Sequence, residues 1–226
     1  MCSFPLTVLT SCSGGLTAMT EGMLLIISGP AGSGKGTVVS ELMKLDDGYT
    51  YSVSATTRSP RPGEKDGVNY FFVTREQFEE KIANGGMLEY AEYVGNYYGT
   101  PREFVKQRLA EGRNVILEIE TCGAMQVKRL MPEAVMIFIC PPDAATLEAR
   151  LRGRGTEDEE TILRRLDKAK REIAHASDYD YLVINRNDEA AEAAETVRSV
   201  VAAERCRRMK DRIADIFFTQ NKTKEK

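Results

Sequence analysis

Histidine is almost absent from this chain, and tryptophan is absent altogether. The 226 residues include one histidine and five cysteines. A lone imidazole, His175 in a charged helical segment, argues against Ser-His-Asp hydrolysis and leaves little for a zinc site. The cysteines are scattered, no two have metal-ligand spacing, and their odd number fits a reducing compartment. They are Cys2, Cys12, Cys122, Cys140 and Cys206.

The chain also lacks a strong charge of either sign and a long apolar run. Its formal net charge is -3, which does not favour nucleic-acid binding as its main function. No uncharged apolar stretch reaches the length of a membrane span. We therefore expect a cytoplasmic protein with neither nucleic acid nor membrane as partner. The hydrophobic content of 42% is sufficient for a packed core.

What the chain does contain is a glycine-rich segment between an apolar strand and a helix. Residues 23–28 are typical of a buried strand, and residues 38–43 are typical of a helix. Glycines allow the backbone to adopt positive φ and approach a phosphate, and the helix N-terminus adds positive partial charge. This is the phosphate-binding P-loop pattern G-x-x-x-x-G-K. Its candidate ATP phosphate-binding residues are Gly29, Pro30, Ala31, Gly32, Ser33, Gly34, Lys35, Gly36 and Thr37.

One position in the segment departs from the P-loop consensus. Gly36 follows Lys35 where Ser or Thr usually faces the magnesium ion, and Thr37 comes one place later. We expect Mg²⁺ to accompany ATP, with Thr37 as the candidate metal-facing hydroxyl. The alternative is a glycine-rich turn without a ligand, which the preceding strand and the lysine disfavour.

The rest of the chain alternates apolar runs with helical segments, the pattern of an α/β fold with a parallel sheet covered on both faces. Besides 23–28, strands are predicted at 50–54, 114–119, 135–140 and 181–185. Helices are predicted to begin near Thr74, near Thr100 and near Thr156, and a last helix to run from 188 to 213. At Thr100 the following Pro101 and Glu103 suggest that the threonine caps the helix.

Two segments interrupt this alternation. Residues 55–99 contain many tyrosines and turn signals and predict a small β-rich insertion. Residues 143–175 predict a mobile flap that carries arginines. Because a phosphate acceptor is itself anionic, it needs no base but does need cations of its own. Arginines outside the P-loop occur in these two segments, as Arg58 and Arg61 in the first and Arg150, Arg152, Arg154, Arg164 and Arg165 in the second.

Several motifs, in order along the chain, resemble the guanylate kinase family. The most specific is Ser-x-Ser-x-Thr-Thr-Arg-x-Pro-Arg at 52–61, followed by Asp66 to Phe72, Glu89-Tyr90-Ala91 and Gly95 to Thr100. The similarity continues through Arg154 to Glu157 and Asp178 to Tyr181, and covers about residues 22–210. It implies a P-loop core, a GMP-binding lobe and a lid, with ATP donating its γ-phosphate to GMP.

The resemblance also implies roles for individual residues. Lys35, Arg154 and Arg165 would serve the transferring phosphate. Glu120 stands where the family usually has the shorter Asp, and Thr100 where it often has Ser. The candidate GMP-binding residues are Ser54, Arg58, Arg61, Tyr70, Glu89, Tyr98, Thr100 and Glu120.

The predicted organisation is one domain at 21–216, between a disordered extension at 1–20 and a flexible tail at 217–226. Within the domain, the core comprises 21–53, 100–142 and 176–216, the GMP-binding lobe 54–99 and the lid 143–175. Two other functions are weighed against guanylate kinase activity. A P-loop kinase for another small acceptor would lack the Arg58 and Arg61 loop or Glu89. A non-catalytic scaffold module of the same type would have a degraded P-loop.

Overall fold

The computed structural model of the protein describes residues 21–153 and 158–219. Its strands are β1 Leu24–Ser28, β2 Tyr49–Tyr51, β3 Ala55–Thr56, β4 Phe71–Phe72, β5 Met87–Tyr93, β6 Asn96–Pro101, β7 Asn114–Glu118, β8 Val135–Cys140 and β9 Tyr181–Ile184. Its α-helices are α1 Lys35–Leu45, α2 Arg75–Ala83, α3 Arg102–Ala110, α4 Thr121–Leu130, α5 Ala144–Arg152, α6 Glu159–Ala174 and α7 Ala190–Thr219.

The first sheet is parallel, with five strands in the order β2-β7-β1-β8-β9. Its central strand β1 is buried along its whole length. Leu25 and Ile27 point into a core shared with α1 and α7. Leu24 and Ile26 point to the opposite face, into a core shared with α3 and α4. The predicted parallel sheet covered on both faces is therefore confirmed, and the carboxyl ends of its strands share one edge with the glycine-rich segment.

The second sheet lies in the predicted β-rich insertion and has four strands in the order β4-β3-β6-β5. Strands β5 and β6 form an antiparallel hairpin, and β3 pairs antiparallel with β6. Phe78 of α2 is fully buried beneath this sheet with Ala55 and Met87. Its ring stacks on Tyr97, with 5.1 Å between ring centroids. This small core is separate from the two cores of the parallel sheet.

The predicted strand at 50–54 is wrong in its second half. Tyr49–Tyr51 pair with β7, and the Ser52 N–H still donates to the Ile116 carbonyl at 3.0 Å. Beyond this point the chain leaves the parallel sheet and enters the second sheet at Ala55. One extended segment thus serves two sheets, which local composition does not reveal.

Two predicted helix starts have different outcomes. Thr74 caps α2 as expected, accepting from the Gln77 N–H while the Gln77 side chain accepts from the Thr74 N–H. Thr100 does not cap α3: it is a strand residue of β6, Pro101 holds the cap position, and no side chain caps this helix. The Thr100 hydroxyl is instead committed to a carboxylate, Glu89.

The remaining helices lie close to their predicted positions. The start predicted near Thr156 lies outside the described residues, and α6 begins at Glu159 with Asp158 as its N-cap. Helix α7 continues to Thr219, past the predicted end at 213. The extension at 1–20 also lies outside the described residues. Within residues 21–153 and 158–219, no helix is both long and apolar enough to cross a membrane, and the cytoplasmic location stays a prediction.

Candidate active site

The glycine-rich segment connects β1 to α1 in a conformation that depends on its glycines. Gly29, Gly32 and Gly34 have φ values of 149°, 89° and 81°, in the region that disfavours side chains. A Cβ on Gly29 would lie 2.0 Å from the Ile139 carbonyl oxygen, and one on Gly34 would lie 2.4 Å from the Asn185 amide nitrogen. Both positive φ and close approach therefore require glycine, as the sequence predicted, and the loop opens at the N-terminus of α1.

Lys35 is the first residue of α1, and its ammonium group folds back over the loop. Its Nζ donates to the Gly29 carbonyl at 2.6 Å and to the Pro30 carbonyl at 3.2 Å. Burial lowers the pKa of Lys35, while the negative charges of neighbouring carboxylates oppose that shift. These carboxylates are Glu118, Glu172 and Glu120. The lysine is thus a desolvated cation in an acidic surrounding, able to transfer its hydrogen bonds to an anionic ligand.

A cavity of about 500 Å³ lies beside the loop. Arg150 of α5 spans one side, donating to the Ser33 carbonyl at 3.3 Å and to the Asn185 carbonyl at 2.9 Å. Asn185 follows β9, and its amide also donates to the Ser33 carbonyl, at 2.8 Å. Thr37 lines the same cavity. Arg150 and Asn185 therefore brace the P-loop from outside, a role that the sequence analysis did not assign to them.

Candidate oxygen ligands for a cation lie near the first turn of α1. A Cβ on Gly36 would be 3.8 Å from Glu118 Oε2, so an acidic side chain faces the position where the P-loop consensus has a hydroxyl. Carboxylate and hydroxyl oxygens suit Mg²⁺, which retains several waters and binds nucleotide phosphates. The described residues form no cluster of three or more metal-binding side chains. Glu118 and Thr37 thus fit a metal ion held largely by its nucleotide.

On the second sheet, Arg58 is held by a carboxylate that the sequence analysis left without a role. Its two terminal nitrogens donate to the two oxygens of Glu64 at 2.9 and 3.0 Å. Glu64 also accepts from the Arg61 N–H at 2.7 Å. The paired guanidinium is therefore fixed in one orientation. The signal for Glu64 was available, since it lies in the same short loop as both arginines.

Aromatic rings surround the Arg58 guanidinium. Its central carbon lies 5.4 Å from the centre of the Tyr70 ring. The hydrogen bonds with Glu64 are the main reason that the pKa of Arg58 is raised, and Tyr98 contributes to the same shift. The rings of Tyr70 and Tyr98 meet edge to face at 6.2 Å. The structure therefore brings together three of the predicted GMP-binding residues. Arg61 is exposed and Ser54 half-buried at the ends of this loop.

Glu89 is a buried carboxylate on β5, opposite Thr100 in the register of the hairpin. The Thr100 hydroxyl donates to Glu89 Oε1 at 2.7 Å. A Cβ on Gly123, in the first turn of α4, would lie 3.1 Å from Glu89 Oε2. Burial raises the pKa of the Glu89 carboxyl, and the Thr100 hydrogen bond opposes this shift. A buried acceptor group of this kind is costly unless it binds donors.

Three predicted site residues remain, Glu120, Arg154 and Arg165. Glu120 holds the N-cap position of α4, and its carboxylate pairs with Lys168 of α6. Arg165 is half-buried on α6, and its predicted role stays a prediction. Arg154 lies outside the described residues. The same helix carries Glu172, a buried carboxylate whose pKa is raised by burial.

Comparisons with known proteins agree with this arrangement. The guanylate kinase family model matches residues 21–204. A guanylate kinase from Streptococcus thermophilus (strain CNRZ 1066) is 56% identical over 188 residues, covering 83% of this chain and 89% of the relative. One from Halalkalibacterium halodurans is 53% identical over 188 residues, covering 83% and 91%.

A solved structure shows the same fold. The crystal structure of guanylate kinase from Anaplasma phagocytophilum superposes with a TM-score of 0.61 at 34% identity, covering 82% of this chain and 87% of that one. The match to the family model spans both the P-loop and the second sheet. The chain therefore belongs to the guanylate kinase family.

Proposed function

We propose that this chain transfers the γ-phosphate of ATP to GMP, giving ADP and GDP, with Mg²⁺ as the accompanying cation. The identity with curated guanylate kinases over most of the chain supports the reaction. The structural observation that carries it is the buried Glu89 carboxylate, held by Thr100 at 2.7 Å near the Arg58 loop of the same sheet.

The chemistry of Glu89 suits guanine as the acceptor base. Guanine presents N1–H and an N2 amino group as donors on its Watson–Crick edge, and one carboxylate accepts from both. Adenine presents an acceptor at N1, which would face the lone pairs of the carboxylate. A site built on matched hydrogen bonds rejects the wrong base by roughly 10⁴-fold, because its buried polar groups stay unpaired.

The two anionic parts of the reaction would be held by separate groups. The P-loop and Lys35 would bind the phosphates of ATP, and Arg58, Arg61, Tyr70 and Tyr98 would bind the phosphate of GMP. Lys35, with Arg154 and Arg165, would neutralise charge that develops on the transferred phosphoryl group. Phosphoryl transfer depends mainly on such positioning and charge neutralisation. Ser54 and Glu120 would complete the guanine site.

Members of this family generally use ATP with a divalent metal, and the residues beside Gly36 fit one. Glu118 and Thr37 would hold Mg²⁺, through water where they do not reach it, and the ion would neutralise phosphate charge. Arg150 and Asn185 line the cavity next to the P-loop and would bind the nucleoside part of ATP. Closure of the predicted lid over both nucleotides would exclude water as a competing acceptor.

Steady-state release of ADP with GMP, AMP, CMP and dTMP in turn tests the proposal. We expect rapid turnover with GMP and at least a thousandfold lower kcat/KM with AMP, in the range that hydrogen-bond matching allows. The variant Lys35→Ala, purified in the same way, controls for a contaminating kinase. Equal use of AMP, or GMP binding without turnover as in a scaffold module, would contradict the proposal.

A further inference from the structure

An ion pair joins α6 to the carboxyl end of β7. Lys168 Nζ donates to Glu120 Oε1 at 2.6 Å, and it also lies 3.8 Å from Glu172 Oε1 on its own helix. The side chains of Lys168 and Glu120 are 48% and 72% exposed. The pair therefore links two separate elements of the fold and remains accessible to a ligand.

Lys168 also interacts electrostatically with groups beyond Glu120. Its positive charge contributes to lowering the pKa of Lys35, which places it within electrostatic range of the P-loop. The Glu120 hydrogen bond is the main reason that the pKa of Lys168 is raised, and Tyr93 at the end of β5 contributes as well. Lys168 thus lies between the P-loop of the first sheet and the hairpin of the second.

The charges around Lys35 show what Lys168 balances. Three carboxylates, those of Glu118, Glu120 and Glu172, act on Lys35, and Lys168 is the second ammonium group in the same set. Both substrates of the proposed reaction are polyanions. Loss of the Lys168 charge would leave the Glu120 carboxylate without its cation, and its negative charge would then oppose the binding of an anionic acceptor beside it.

Lys168 also restricts the conformation of Glu120. A glutamate has one more side-chain torsion than an aspartate, and an exposed glutamate keeps that freedom. The short bond to Lys168 fixes Oε1 and leaves lone pairs of the carboxylate for a further donor. A donor at that point would belong to the ligand, such as the amino group of a guanine base.

We propose that Lys168 is a positioning residue for the acceptor: it holds the Glu120 carboxylate in the orientation that receives GMP and couples α6 to that site. This inference rests on the proposed function. It assigns Lys168 no contact with the reacting atoms. Lys168 acts on GMP binding through Glu120. The shorter carboxylate of an aspartate at this position would not depend on Lys168.

The test uses the full chain and steady-state kinetics with each substrate varied in turn. Lys168→Met keeps the aliphatic stem and removes the charge. We expect the KM for GMP to rise about threefold to tenfold, the effect of one exposed charge pair in a partly desolvated site. The KM for ATP and kcat should change less than twofold. Lys168→Arg, which can still donate to Glu120, should restore the KM for GMP.

Two further variants show whether Lys168 acts through Glu120. In Glu120→Asp the carboxylate is one methylene shorter and cannot make the 2.6 Å bond without a shift of α6. Adding Lys168→Met to Glu120→Asp should therefore not raise the KM for GMP further. In a double-mutant cycle, this dependence of the Lys168→Met effect on Glu120 shows that the two residues are coupled. Lys170→Met is the matched control, because two residues turn a helix by about 200°. It should resemble wild type.

The outcomes separate this inference from the proposed function. A wild-type enzyme that does not phosphorylate GMP would overturn the function and this inference with it. An active wild type with an unchanged KM for GMP in Lys168→Met would overturn the positioning role alone. Equal increases in the KM for GMP and ATP would also overturn it, since Lys168 would then affect the overall charge of the site. Additive effects in the Glu120→Asp background would overturn it as well, since Lys168 would then act independently of Glu120.

Discussion

The two regions proposed to hold the two nucleotides use different kinds of binding group. In the P-loop, the binding groups belong to the backbone, and three glycines at positive φ fix their direction. On the second sheet, the groups belong to side chains: the paired Arg58 and Glu64, the rings of Tyr70 and Tyr98, and Glu89 with Thr100. The first region is held by its backbone conformation and its close approach to Ile139 and Asn185, and the second is held in place by hydrogen bonds between side chains.

This difference predicts how each region tolerates change. A backbone cradle loses little when a neighbouring side chain is altered, but its single lysine has no substitute. A side-chain network distributes binding over several partners, so each loss is smaller and reports on one part of the ligand. Variants in the two regions should therefore separate into effects on turnover and effects on the acceptor.

The largest effect is expected at Lys35. Lys35→Ala should lower kcat about 100- to 1,000-fold, because one preorganised group that stabilises charge in the transition state contributes that much. The fold should persist, since Lys35 Nζ donates only to the carbonyls of Gly29 and Pro30 among the hydrogen bonds of the described residues. Steady-state turnover and circular dichroism together measure this, with exposed Lys44→Ala of the same helix as control. Near wild-type turnover would contradict the role of the P-loop.

Arg58 should give the next largest effect, confined to the acceptor. Arg58→Ala should raise the KM for GMP about 10- to 100-fold, since a charge-assisted hydrogen bond to phosphate is lost. The KM for ATP should stay within about twofold, because backbone groups hold that nucleotide. Arg75→Ala is the matched control: Arg75 also pairs with a carboxylate and lies 4.5 Å from the centre of an aromatic ring. A loss of ATP affinity with GMP affinity preserved would mean that the two regions are assigned the wrong way round.

A substitution at a glycine of the second sheet tests whether the small core of that sheet is independent of the two cores of the parallel sheet. A Cβ on Gly99 would lie 2.6 Å from the Glu89 carbonyl oxygen and 3.1 Å from the Phe78 ring. Gly99→Ala should lower the free energy of unfolding by about 1–3 kcal/mol through overpacking, as measured by urea denaturation. The KM for GMP should rise more than that for ATP. Ala91→Val, at an exposed position of β5, serves as control. An equal increase in the KM values for GMP and ATP would indicate one shared core.

The smallest effect is a pH dependence. Burial raises the pKa of Glu89 above its ordinary value of 4.5, so the carboxyl gains a proton as the pH falls through that higher value. The protonated form has one acceptor fewer for guanine, and kcat/KM for GMP should decrease on the acid side. Glu89→Gln has no such group. The GMP phosphate titrates near pH 6 in both enzymes, so the ratio of the two profiles isolates Glu89, and a constant ratio would contradict the assignment.

The two regions also differed in how far the sequence could predict them. The P-loop is contiguous, so the spacing of its motif was enough to predict glycine at positive φ in this segment, as found at Gly29 and Gly34. The pairing of Glu89 with Thr100 depends on the register of a hairpin, and the Thr100 hydroxyl was misassigned to a helix cap because local patterns do not report tertiary partners. The family resemblance located Glu89 and Arg58. Neither it nor local patterns identified Glu64, whose role depends on the folded loop.

Charged partners contributed by distant elements were the least predictable part. Lys168 and Glu120 are separated by 48 residues, and Glu172 belongs to a helix whose sequence is typical of a solvated face. Arg150 and Asn185 support the P-loop from α5 and from the end of β9. The contacts of Arg150 and of α6 depend on the packing of α5 and α6 on each other and on Ala31 of the P-loop, which apolar periodicity indicates only in outline.

The central claim is that Glu89 reads the acceptor base while the P-loop holds the donor. The most direct test is the ratio of kcat/KM for GMP to that for AMP, measured in wild type and in Glu89→Gln. We predict a ratio of roughly 10⁴ in wild type. The ratio should fall at least tenfold in Glu89→Gln, because the amide offers one acceptor oxygen and no longer repels adenine N1, while the KM for ATP stays unchanged. An unchanged ratio in the folded variant would contradict the claim and move base recognition to other residues.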